Sequence, residues 1–452
     1  PAQMDDPRYS PPEPTGYVFD PKTRQWKPGT YDLGAERVER LGPNRFRLFW
    51  RGRPRHAAAV GDLMAFRGRG NTDIRVGDCA AMTLADITIL SGGGFCIHED
   101  GGDGGSRFSY KVTYGPKPPG ATAAPLIACN ADAFHSSGVR KGPTLENCLF
   151  EGMCDDGIPI HGSYSLVARS SGDRLVVTDG RFRPGDPLRL LTPEGEVAAE
   201  AAVRSIAPLK DFQPPAAKSR HRTFADLTRR RFSELTLDRP LAAGFDWLVS
   251  NPAAIGSGYV VRNNIIRNHR ARGMLLKADN GLVEGNTVDG STIAGIVIAP
   301  ELWWSEACYS RNVIVRNNTI RRVGYATTGP WSEQAGAVTV CGAGGKTESS
   351  SGHRHIVIEG NTIEDCSGPN LIIAAAKDVL VKNNRFVRPM GDPSRRGADR
   401  GIDPGALVWL SACDDVRLEG NTVSQPGPGL EKLIVTTPSA RNVTGLDGGI
   451  KK

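Results

Sequence analysis

The sequence has few aromatic residues, few runs of strong helix formers and no long apolar stretch. Aromatic residues make up only 7% of the 452 positions, and no segment approaches the roughly 20 consecutive apolar residues of a membrane span. The mean hydropathy of −0.32 agrees with the absence of a long apolar segment. We therefore expect a soluble chain without a membrane span. Because the chain starts at Pro1, we also expect that a signal peptide has been removed and that the protein is secreted or periplasmic.

Zinc-ligand spacing is absent as well. The chain has nine cysteines, but none forms a CxxC pair or a Cys/His pair with zinc spacing. Six of them lie in or beside apolar strand-like runs, where a thiol packs as a small hydrophobic group: Cys129, Cys148, Cys154, Cys341, Cys366 and Cys413. We therefore expect core cysteines, no metal and no cofactor, while the sequence leaves one disulfide open.

A concentrated basic patch is also missing. The formal charge is +7, but the lysines and arginines are spread along the chain. Such a distribution is typical of a solvated basic surface and does not predict a nucleic-acid partner. The oligomeric state is left open, a homodimer included.

What the sequence does contain is glycine, with 54 residues, and a short repeated unit. The unit has the pattern apolar-x-x-Asn-x-apolar and occurs as VRNNII, VEGNTV, VRNNTI, IEGNTI, VKNNRF and LEGNTV. Its central asparagines are Asn264, Asn286, Asn318, Asn361, Asn384 and Asn421, at intervals of 22, 32, 43, 23 and 37 residues. The shortest intervals match one coil of a parallel β-helix, and the longer ones match a coil with an inserted loop.

Asparagine tolerates left-handed backbone geometry and can stack its amide on the asparagine of the next coil. We expect the central asparagines to do both, with the flanking apolar residues inside the helix. An earlier copy, LENCLF, has Cys148 at the asparagine position, so the repeat begins well before residue 260.

A second series of short apolar strands runs in phase with these units. Its copies are DAFHSSG from Asp132, DGIPIHG from Asp156, RGMLLKA from Arg272, AGIVIAP from Ala294, AGAVTVC from Ala335 and PNLIIAA from Pro369. Stacked coils place equal positions of neighbouring copies on one surface. The pattern breaks between about 163 and 256, where strand-and-turn signals predict an antiparallel insertion.

The sequence therefore predicts an all-β protein, a right-handed parallel β-helix interrupted by a small antiparallel, barrel-like β insertion. We expect an N-terminal arm and β strands in residues 1–75, the β-helix in 76–162 and 257–445, and the insertion in 163–256. Within these ranges, 1–28 is predicted as an arm or a truncated first segment, and strands near 30–70 are candidate partners of the insertion. We predict a loop at 391–403 and a mobile tail after about 445.

Three aspartates are the strongest candidates for chemistry. Asp155 and Asp156 follow Asp132 by 23 and 24 residues, which is one coil, so the three carboxylates should meet on one face. Inverting glycoside hydrolysis uses a protonated carboxyl and a carboxylate that activates water, roughly 6.5–9.5 Å apart, and clustering raises the pKa of at least one acid. A single aspartate before a small residue is usually a turn residue. Three in register favour catalysis, and the adjacent pair implies a bend at Asp155.

These residues also carry a family resemblance. The motifs NADAFHS, CDDGIPIHG, RNHRARGMLLKADNGLVEGNTV and ELWWSEACYSRNVIVRNNTI resemble glycoside hydrolase family 110, the α-1,3-galactosidases, over about residues 80–425. The aspartate trio with the following His161-Gly162 is similar to polygalacturonase-type β-helix hydrolases. The resemblance implies a metal-independent, inverting exo-hydrolase that releases terminal α-1,3-linked galactose. By position, it implies Asp155 as the general acid, with Asp132 and Asp156 sharing the base role.

Other residues on the same face are candidates for substrate binding, because charged groups hydrogen-bond sugar hydroxyls and an indole stacks on a sugar ring. They are His135, His161, Arg270, Arg272, Lys277, Glu301, Trp303 and Trp304. Of these, Arg272 is directly in register with the acids, whereas Arg270 and Lys277 could equally be exposed cations and the tryptophans could serve loop packing. Weaker candidates for the rim are His98, Glu99 and Glu333.

The sequence also leaves room for different functions. A calcium-dependent polysaccharide lyase would use the same acids to hold Ca²⁺ and Arg272 or Lys277 as the base. A polygalacturonase-like hydrolase and a non-catalytic glycan-binding β-helix also stay open, because this fold hosts many functions. The expected partner is a galactose-terminated glycan. It is either a neutral blood-group-B-like or linear α-1,3-galactoside, or a sulfated galactan fragment that Arg272 and Lys277 would suit.

Overall fold

The structure is a computed structural model that describes residues 15–30, 32–43, 45–50, 58–68, 70–325, 336–343, 352–391 and 401–451. Strands dominate these ranges, and the helices within them are two short 3-10 turns, Arg222–Phe224 and Leu227–Arg229. No helix in the described ranges is long and apolar enough to cross a membrane.

Three parallel sheets, stacked coil on coil, form the body of the molecule. We name them sheet I, sheet II and sheet III. The strands of sheet I are Thr83–Ile89, Arg107–Val112, Thr144–Glu146, Val260–Arg262, Leu282–Glu284, Arg311–Arg316, His353–Glu359 and Arg441–Thr444. The strands of sheet II are Leu149–Glu151, Ile265–His269, Thr287–Ser291, Thr319–Arg321, Thr362–Glu364, Arg385–Val387, Asn421–Ser424 and Ile450–Lys451, and the ends of Thr83–Ile89 and Arg107–Val112 extend into it.

Sheet III carries the aspartate series. Its strands are Ile74–Gly77, Ile97–Asp100, Phe134–Ser137, Ile158–Ser171, Met274–Leu276, Ile296–Ile298, Val338–Val340, Leu371–Lys382, Ala406–Glu419 and Lys432–Thr436. Two of these strands, Leu371–Lys382 and Ala406–Glu419, bend and continue into sheet I. The predicted parallel β-helix is confirmed, and it begins at Ile74 rather than at residue 76.

A column of buried asparagine amides runs along the turn between sheets I and II. Each side-chain amide from Asn264 to Asn384 donates to the amide oxygen of the asparagine in the next coil at 2.9 Å. The same oxygen also accepts the backbone N–H of the preceding coil's asparagine. The Asn264 oxygen accepts from the backbone N–H of Cys148, which confirms Cys148 as the first member of the column.

The left-handed residue of this turn is not the central asparagine, as we expected, but the residue before it. Positive φ angles of 54–57° occur at Asn147, Asn263, Asn317 and Asn383, and glycine has φ of 62–66° at the equivalent positions in the other copies. Asparagine and glycine are the residues that accept this conformation at least cost. The two residues therefore have different roles. The first adopts the left-handed turn conformation, and the asparagine after it forms the hydrogen-bond column.

Register in sheet III follows the predicted series with one exception. Phe134, Ile158, Met274 and Ile296 occupy equal positions in successive coils. In the fifth copy Val338, not Ala337, pairs with Ile296, so that copy is shifted by one residue. The glycine before the strand gave the wrong frame there, because Ala337 separates Gly336 from the strand, whereas the strands at Ile158, Met274 and Ile296 directly follow a glycine.

The insertion is a closed antiparallel barrel, as predicted. Its six strands pair in a ring in the order Ile158–Ser171, Arg174–Thr178, Phe232–Leu237, Val197–Leu209, Pro187–Leu191 and Leu248–Ser250, which returns to the first. Side chains such as Val177, Leu190 and Leu235 fill its interior. The first strand leaves sheet III and enters the barrel without a break, which fixes the barrel beside the site.

Two predictions for the N-terminal region were wrong. Residues 15–19 are not part of an arm, because the strand Thr15–Phe19 lies between Leu33–Gly42 and Leu63–Phe66 in a four-stranded sheet completed by Arg45–Trp50. In the described residues no strand pairing joins this sheet to the barrel. Its apolar face packs instead on Cys154, next to the aspartate pair.

The chain end also differs from expectation. Ile450–Lys451 pairs with Asn421–Ser424 in sheet II, so the β-helix reaches residue 451 rather than 445 and Ile450 is buried. Much of the predicted loop at 391–403 lies outside the described residues. No disulfide joins any of the nine cysteines. Eight of them are buried, and these include the six that were predicted to lie in the core.

The asparagine column can be tested by comparing its two residues in one turn. Asn318→Ala removes the acceptor of two buried donors on Asn286, its backbone N–H and its side-chain amide, and the amide that donates to the carbonyl oxygen of Val283. Each group left unsatisfied costs roughly 1–3 kcal/mol. We expect a loss of about 3 kcal/mol or more in the free energy of unfolding, measured by urea titration. Asn317→Gly, at an exposed position with φ of 55°, should change it by less than about 1 kcal/mol. Equal effects at the two positions would contradict the division of roles.

Candidate active site

The three aspartates lie in turns that precede two neighbouring strands of sheet III. Asp132 comes just before Phe134–Ser137, and Asp155 and Asp156 come just before Ile158–Ser171. The chain bends at Asp155, as the adjacent pair implied. One oxygen of each carboxyl can be chosen so that all three lie within 4.8 Å of one another, so the predicted cluster exists.

Asp132 is buried, with only 5% of its surface exposed. Its Oδ1 accepts the backbone N–H of Asp156 at 3.0 Å, and its Oδ2 lies 2.7 Å from Nδ1 of His135. Burial, together with the charges of Asp155 and Asp156, raises the pKa of Asp132 well above its usual value. The acid form of this carboxyl is therefore favoured.

Asp155 is the most open member, with 32% of its side chain exposed. Arg270 donates to its Oδ1 at 2.9 Å, and Arg67 donates to its Oδ2 at 3.3 Å. Arg270 is held in turn by Asp32 of the N-terminal sheet. Burial raises the pKa of Asp155 against the opposing effect of Arg270, so this carboxyl can carry a proton at an accessible position.

Asp156 is held as an anion by a bidentate guanidinium. Arg272 donates to Asp156 Oδ1 from its backbone N–H and from Nε, each at 2.8 Å, and to Oδ2 from a terminal nitrogen at 2.6 Å. Burial acts to raise the pKa of Asp156, but Arg272 outweighs it and the pKa is lowered. Asp132 and Asp156, one coil apart, are therefore driven toward opposite protonation states.

A short hairpin supplies two more carboxylates. Glu301 and Glu306 close it through reciprocal backbone hydrogen bonds of 3.0 Å. Glu301 accepts from Arg272 at 2.8 Å and from Lys277 at 3.0 Å, and Lys277 also pairs with Glu306. Lys277 is fully buried, so its charge is compensated by these two acids rather than by solvent.

A row of histidines completes the site. His135 and His161 face each other through their Nε2 atoms at 2.9 Å, and Nδ1 of His161 lies 2.6 Å from the carbonyl oxygen of Gly162. Burial lowers the pKa of both imidazoles, that of His161 to about 4. Nε2 of His161 also lies 3.8 Å from Glu306, so the row leads from Asp132 to the hairpin.

An open cavity of 320 Å³ lies between the β-helix and the barrel. His161, Glu306 and Trp304 line it from the side of the β-helix, and Phe182 and Arg230 line it from the barrel. The adjacent Trp303 does not line this cavity but stacks with Arg222, whose guanidinium lies 4.9 Å from the ring centre. Both indoles are more than half exposed.

Several expectations need correction. Arg270 and Lys277 are not exposed cations, because Asp32, Asp155, Glu301 and Glu306 neutralise them. Arg272 is engaged in the same way, so the argument that Arg272 and Lys277 suit a sulfated substrate loses its basis. The acids are also closer together than the roughly 6.5–9.5 Å that we expected for an inverting pair.

The three weaker candidates for the rim have different outcomes. His98 lies beside His135 with ring centres 5.1 Å apart, so it borders the row. Glu99 points into the helix interior, where it accepts from Ser136 at 2.8 Å, and it is not a rim residue. Glu333 lies outside the described residues.

Three site residues were missed in the sequence: Asp32, Arg67 and Glu306. Asp32 and Arg67 belong to the N-terminal sheet, far from the trio along the chain, and no repeat connects them to it. Glu306 lies in the segment ELWWSEAC with the predicted Glu301, and its hairpin position is the signal that could have identified it.

The fold and the site together define the class of protein, a right-handed parallel β-helix with a buried carboxylate cluster on one sheet. The family described as "Right handed beta helix region" matches residues 248–350. Among solved structures, the A-module of mannuronan C-5 epimerase AlgE6 from Azotobacter vinelandii has a TM-score of 0.31 and 11% identity, over 82% of this chain and 87% of that chain. A TM-score of 0.31 carries no argument about the fold, which is established by the strand pairings of this chain.

More specific similarity comes from curated proteins named α-1,3-galactosidase. The B enzyme of Akkermansia muciniphila is 25% identical over 399 residues, which are 82% of this chain and 45% of that protein. The B enzyme of Bacteroides fragilis is 25% identical over 414 residues, 82% of this chain and 63% of that protein. The A enzyme of Streptomyces avermitilis is 28% identical over 227 residues, 47% of this chain and 34% of that protein.

These matches confirm the resemblance to the α-1,3-galactosidases that the motifs indicated. The chain spans about half the length of the curated relatives it matches.

Because the ion pairs of the hairpin are buried, we predict that a single substitution there lowers the free energy of unfolding strongly. Lys277→Met removes the cation that pairs with both Glu301 and Glu306, and breaking a buried pair typically costs about 3–5 kcal/mol. We expect a loss of that size in the free energy of unfolding, measured by urea titration. Lys432→Met is the matched control, because Lys432 is an exposed lysine paired with Asp403. It should leave the unfolding midpoint nearly unchanged, and a shift equal to that of Lys277→Met would contradict the assignment.

Proposed function

We propose that the protein is a glycoside hydrolase that releases terminal α-1,3-linked galactose. The observation that carries this proposal is that neighbouring carboxyls have different partners and pKa values shifted in opposite directions, since a bidentate guanidinium holds Asp156 alone. Asp155 and Asp132 have raised pKa values, whereas Arg272 lowers the pKa of Asp156. Glycoside hydrolysis needs such a pair, because one carboxyl must give a proton while another accepts one.

In the proposed reaction, Asp155 donates its proton to the glycosidic oxygen and the bond from that oxygen to C1 of galactose breaks. A water molecule attacks C1, and its proton passes to the carboxylate of Asp156, whose pKa is lowered. The products are galactose and the shortened glycan. Exchange of protons with solvent then restores the acid on Asp155 and the anion on Asp156.

The close spacing of the trio is compatible with a bound nucleophilic water. A triangle of oxygens with sides of at most 4.8 Å has a centre no more than about 2.8 Å from each corner, which is hydrogen-bond distance. Both oxygens of Asp156 are already held by Arg272, which disfavours direct attack by this carboxylate on C1. We therefore propose a single displacement with inversion.

The sugar is proposed from the relatives, which are named α-1,3-galactosidases. The exposed Trp304 beside the cavity offers an indole that can stack on the apolar face of galactose. A neutral galactoside is our first choice, because Arg272 and Lys277 already have carboxylate partners. A secreted or periplasmic location would bring the enzyme to such glycans.

A calcium-dependent lyase is less well supported by the charge balance. Calcium sites gather carboxylates that keep a surplus of negative charge. Here Asp155 pairs with Arg67 and Arg270, and Asp156 pairs with Arg272. Three guanidiniums thus contact the trio, which leaves little attraction for a divalent cation.

The first test is the release of galactose from Gal-α-1,3-Gal. We expect hydrolysis that EDTA does not inhibit and that yields no product with unsaturated ultraviolet absorbance. Proton NMR of the first product should show β-galactose, since inversion of an α-linkage gives the β-anomer. α-Galactose at first appearance would contradict the single displacement. An unsaturated product would favour the lyase, and binding without any product would favour a glycan-binding protein.

The second test uses variants of the acids. Asp155→Asn and Asp156→Asn should each lower kcat/KM at least 10³-fold, because each removes a proton-transfer step. An aryl α-galactoside with a good leaving group should recover much of the rate for Asp155→Asn but not for Asp156→Asn, since such a leaving group departs without a proton. Asp365→Asn is the matched control, because Asp365 forms an exposed ion pair with Arg388. Recovery in the opposite order would exchange the two roles.

The pKa shifts also predict an acidic optimum. The raised pKa of Asp155 keeps its proton to higher pH than for an ordinary aspartate, and kcat/KM falls as pH rises through that pKa. The lowered pKa of Asp156 keeps the base ionised at low pH, and activity falls only as pH drops through it. Arg272→Gln should move the acidic limb of the pH profile to higher pH, because the guanidinium that favours the anion is gone. An unmoved limb would contradict Asp156 as the base.

A further inference from the structure

Three hydrogen bonds in series connect Asp132 to the backbone of the site. They run from Asp132 Oδ2 to His135 Nδ1 at 2.7 Å, from His135 Nε2 to His161 Nε2 at 2.9 Å, and from His161 Nδ1 to the carbonyl oxygen of Gly162 at 2.6 Å. Each of these bonds needs one proton between its two atoms. The number of protons that the series must hold can therefore be counted.

The carbonyl of Gly162 can only accept, so Nδ1 of His161 carries a proton. In a neutral His161, Nε2 is then an acceptor, and His135 must donate to it from its own Nε2. A neutral His135 that donates from Nε2 has an acceptor at Nδ1. The remaining proton, between His135 and Asp132, must then belong to Asp132.

Two neutral imidazoles supply two protons, whereas three bonds need three. The third proton lies on Asp132, or else one of the histidines is an imidazolium and Asp132 is an anion. The surroundings favour the carboxyl. Asp132 faces the acidic groups Asp155, Asp156 and Glu306, with Arg272 as the opposing charge, and a proton on Asp132 removes one negative charge from this group.

The histidines face a mixed field. His135 is affected by Glu306, Asp155 and Asp156 on one side and by Lys277 on the other, and its ring stacks on Phe95 with centres 4.3 Å apart. His161 is buried and faces Glu306, Lys277 and His135. Burial disfavours a charged imidazole at either position, which leaves Asp132 as the place for the proton.

We infer that Asp132 is a carboxylic acid in the resting protein and that His135 and His161 are positioning residues that keep its proton in place. The consequence for catalysis rests on the proposed function. Asp132 then does not share the base role, and Asp156 alone accepts the proton of the attacking water. A protonated Asp132 also places no negative charge next to the carboxylate of Asp156.

Nitrogen NMR of histidine tautomers tests this inference without any measurement of activity. With ¹⁵N-histidine in the whole chain, cross-peaks from ring carbon protons distinguish the two neutral tautomers and the imidazolium. At pH 7 we expect His161 neutral with its proton on Nδ1 and His135 neutral with its proton on Nε2. Signals are assigned from His135→Gln and His161→Gln, and His355→Gln, at an exposed ion-paired histidine, is the control.

Asp132→Asn provides the decisive comparison. An asparagine resembles a protonated aspartate, because its amide nitrogen can donate to His135 while its oxygen accepts from Asp156. We expect both histidines to keep the tautomers they have in the parent protein. If the parent shows an imidazolium at His135 or His161 that Asp132→Asn abolishes, the proton lies on the histidine and the inference is overturned. A proton on Nδ1 of a neutral His135 in the parent overturns it as well.

Two substitutions at residue 161 test the positioning role. His161→Gln can still accept the proton of His135 Nε2, so His135 should keep its tautomer. His161→Leu cannot accept, and His135 should turn to the Nδ1-protonated form as Asp132 gives up its proton. If His135 is unchanged in His161→Leu, then His161 does not hold the proton in place. If the parent protein shows the expected tautomers but releases no galactose, the result counts against the proposed function alone.

Discussion

The hydrogen-bond column of buried asparagines is the constraint on which the rest of the structure depends. Each amide both donates to and accepts from the neighbouring coil, so a shift of one residue would leave several buried polar groups without partners. The column therefore fixes how each coil lies on the next. Because sheet III belongs to the same coils, the column also fixes Asp156 opposite Arg272. This part of the candidate site thus follows from a structural repeat.

Charge balance is the second constraint, because the site places several ionised side chains where water is scarce. A buried charge is tolerated only with a partner of opposite sign, and here the partners come from outside the regular coils. The N-terminal sheet brings Asp32 to Arg270, and the hairpin brings Glu301 and Glu306 to Lys277. The additions to the β-helix therefore set which acids keep a proton, as well as shaping the surface.

The difference between residues on the repeated coils and residues outside them explains what the sequence could predict. Residues linked by the repeat were found from spacing alone: the aspartate trio, Arg272 in register with it, and Cys148 at an asparagine position. Asp32 and Arg67 were not found, because they reach the site through packing of a separate sheet on Cys154, which leaves no periodic signal. The shift at Val338 was missed for a related reason, since the stretch of sequence from Ile298 to Val338 is longer than one coil and periodicity cannot count residues across it.

The same reasoning shows why spacing was a weak guide to chemistry within the trio. Coil geometry brings the three carboxyls together but does not distinguish them, and the proposed reaction needs them to differ. Their differences come from single contacts, a bidentate guanidinium at Asp156 and an imidazole at Asp132. Parallel β-helices can therefore share one arrangement of acids and still differ in function. In the reaction proposed for this chain, the neighbours of each aspartate, rather than its position on the coil, decide which one gives a proton and which one takes it.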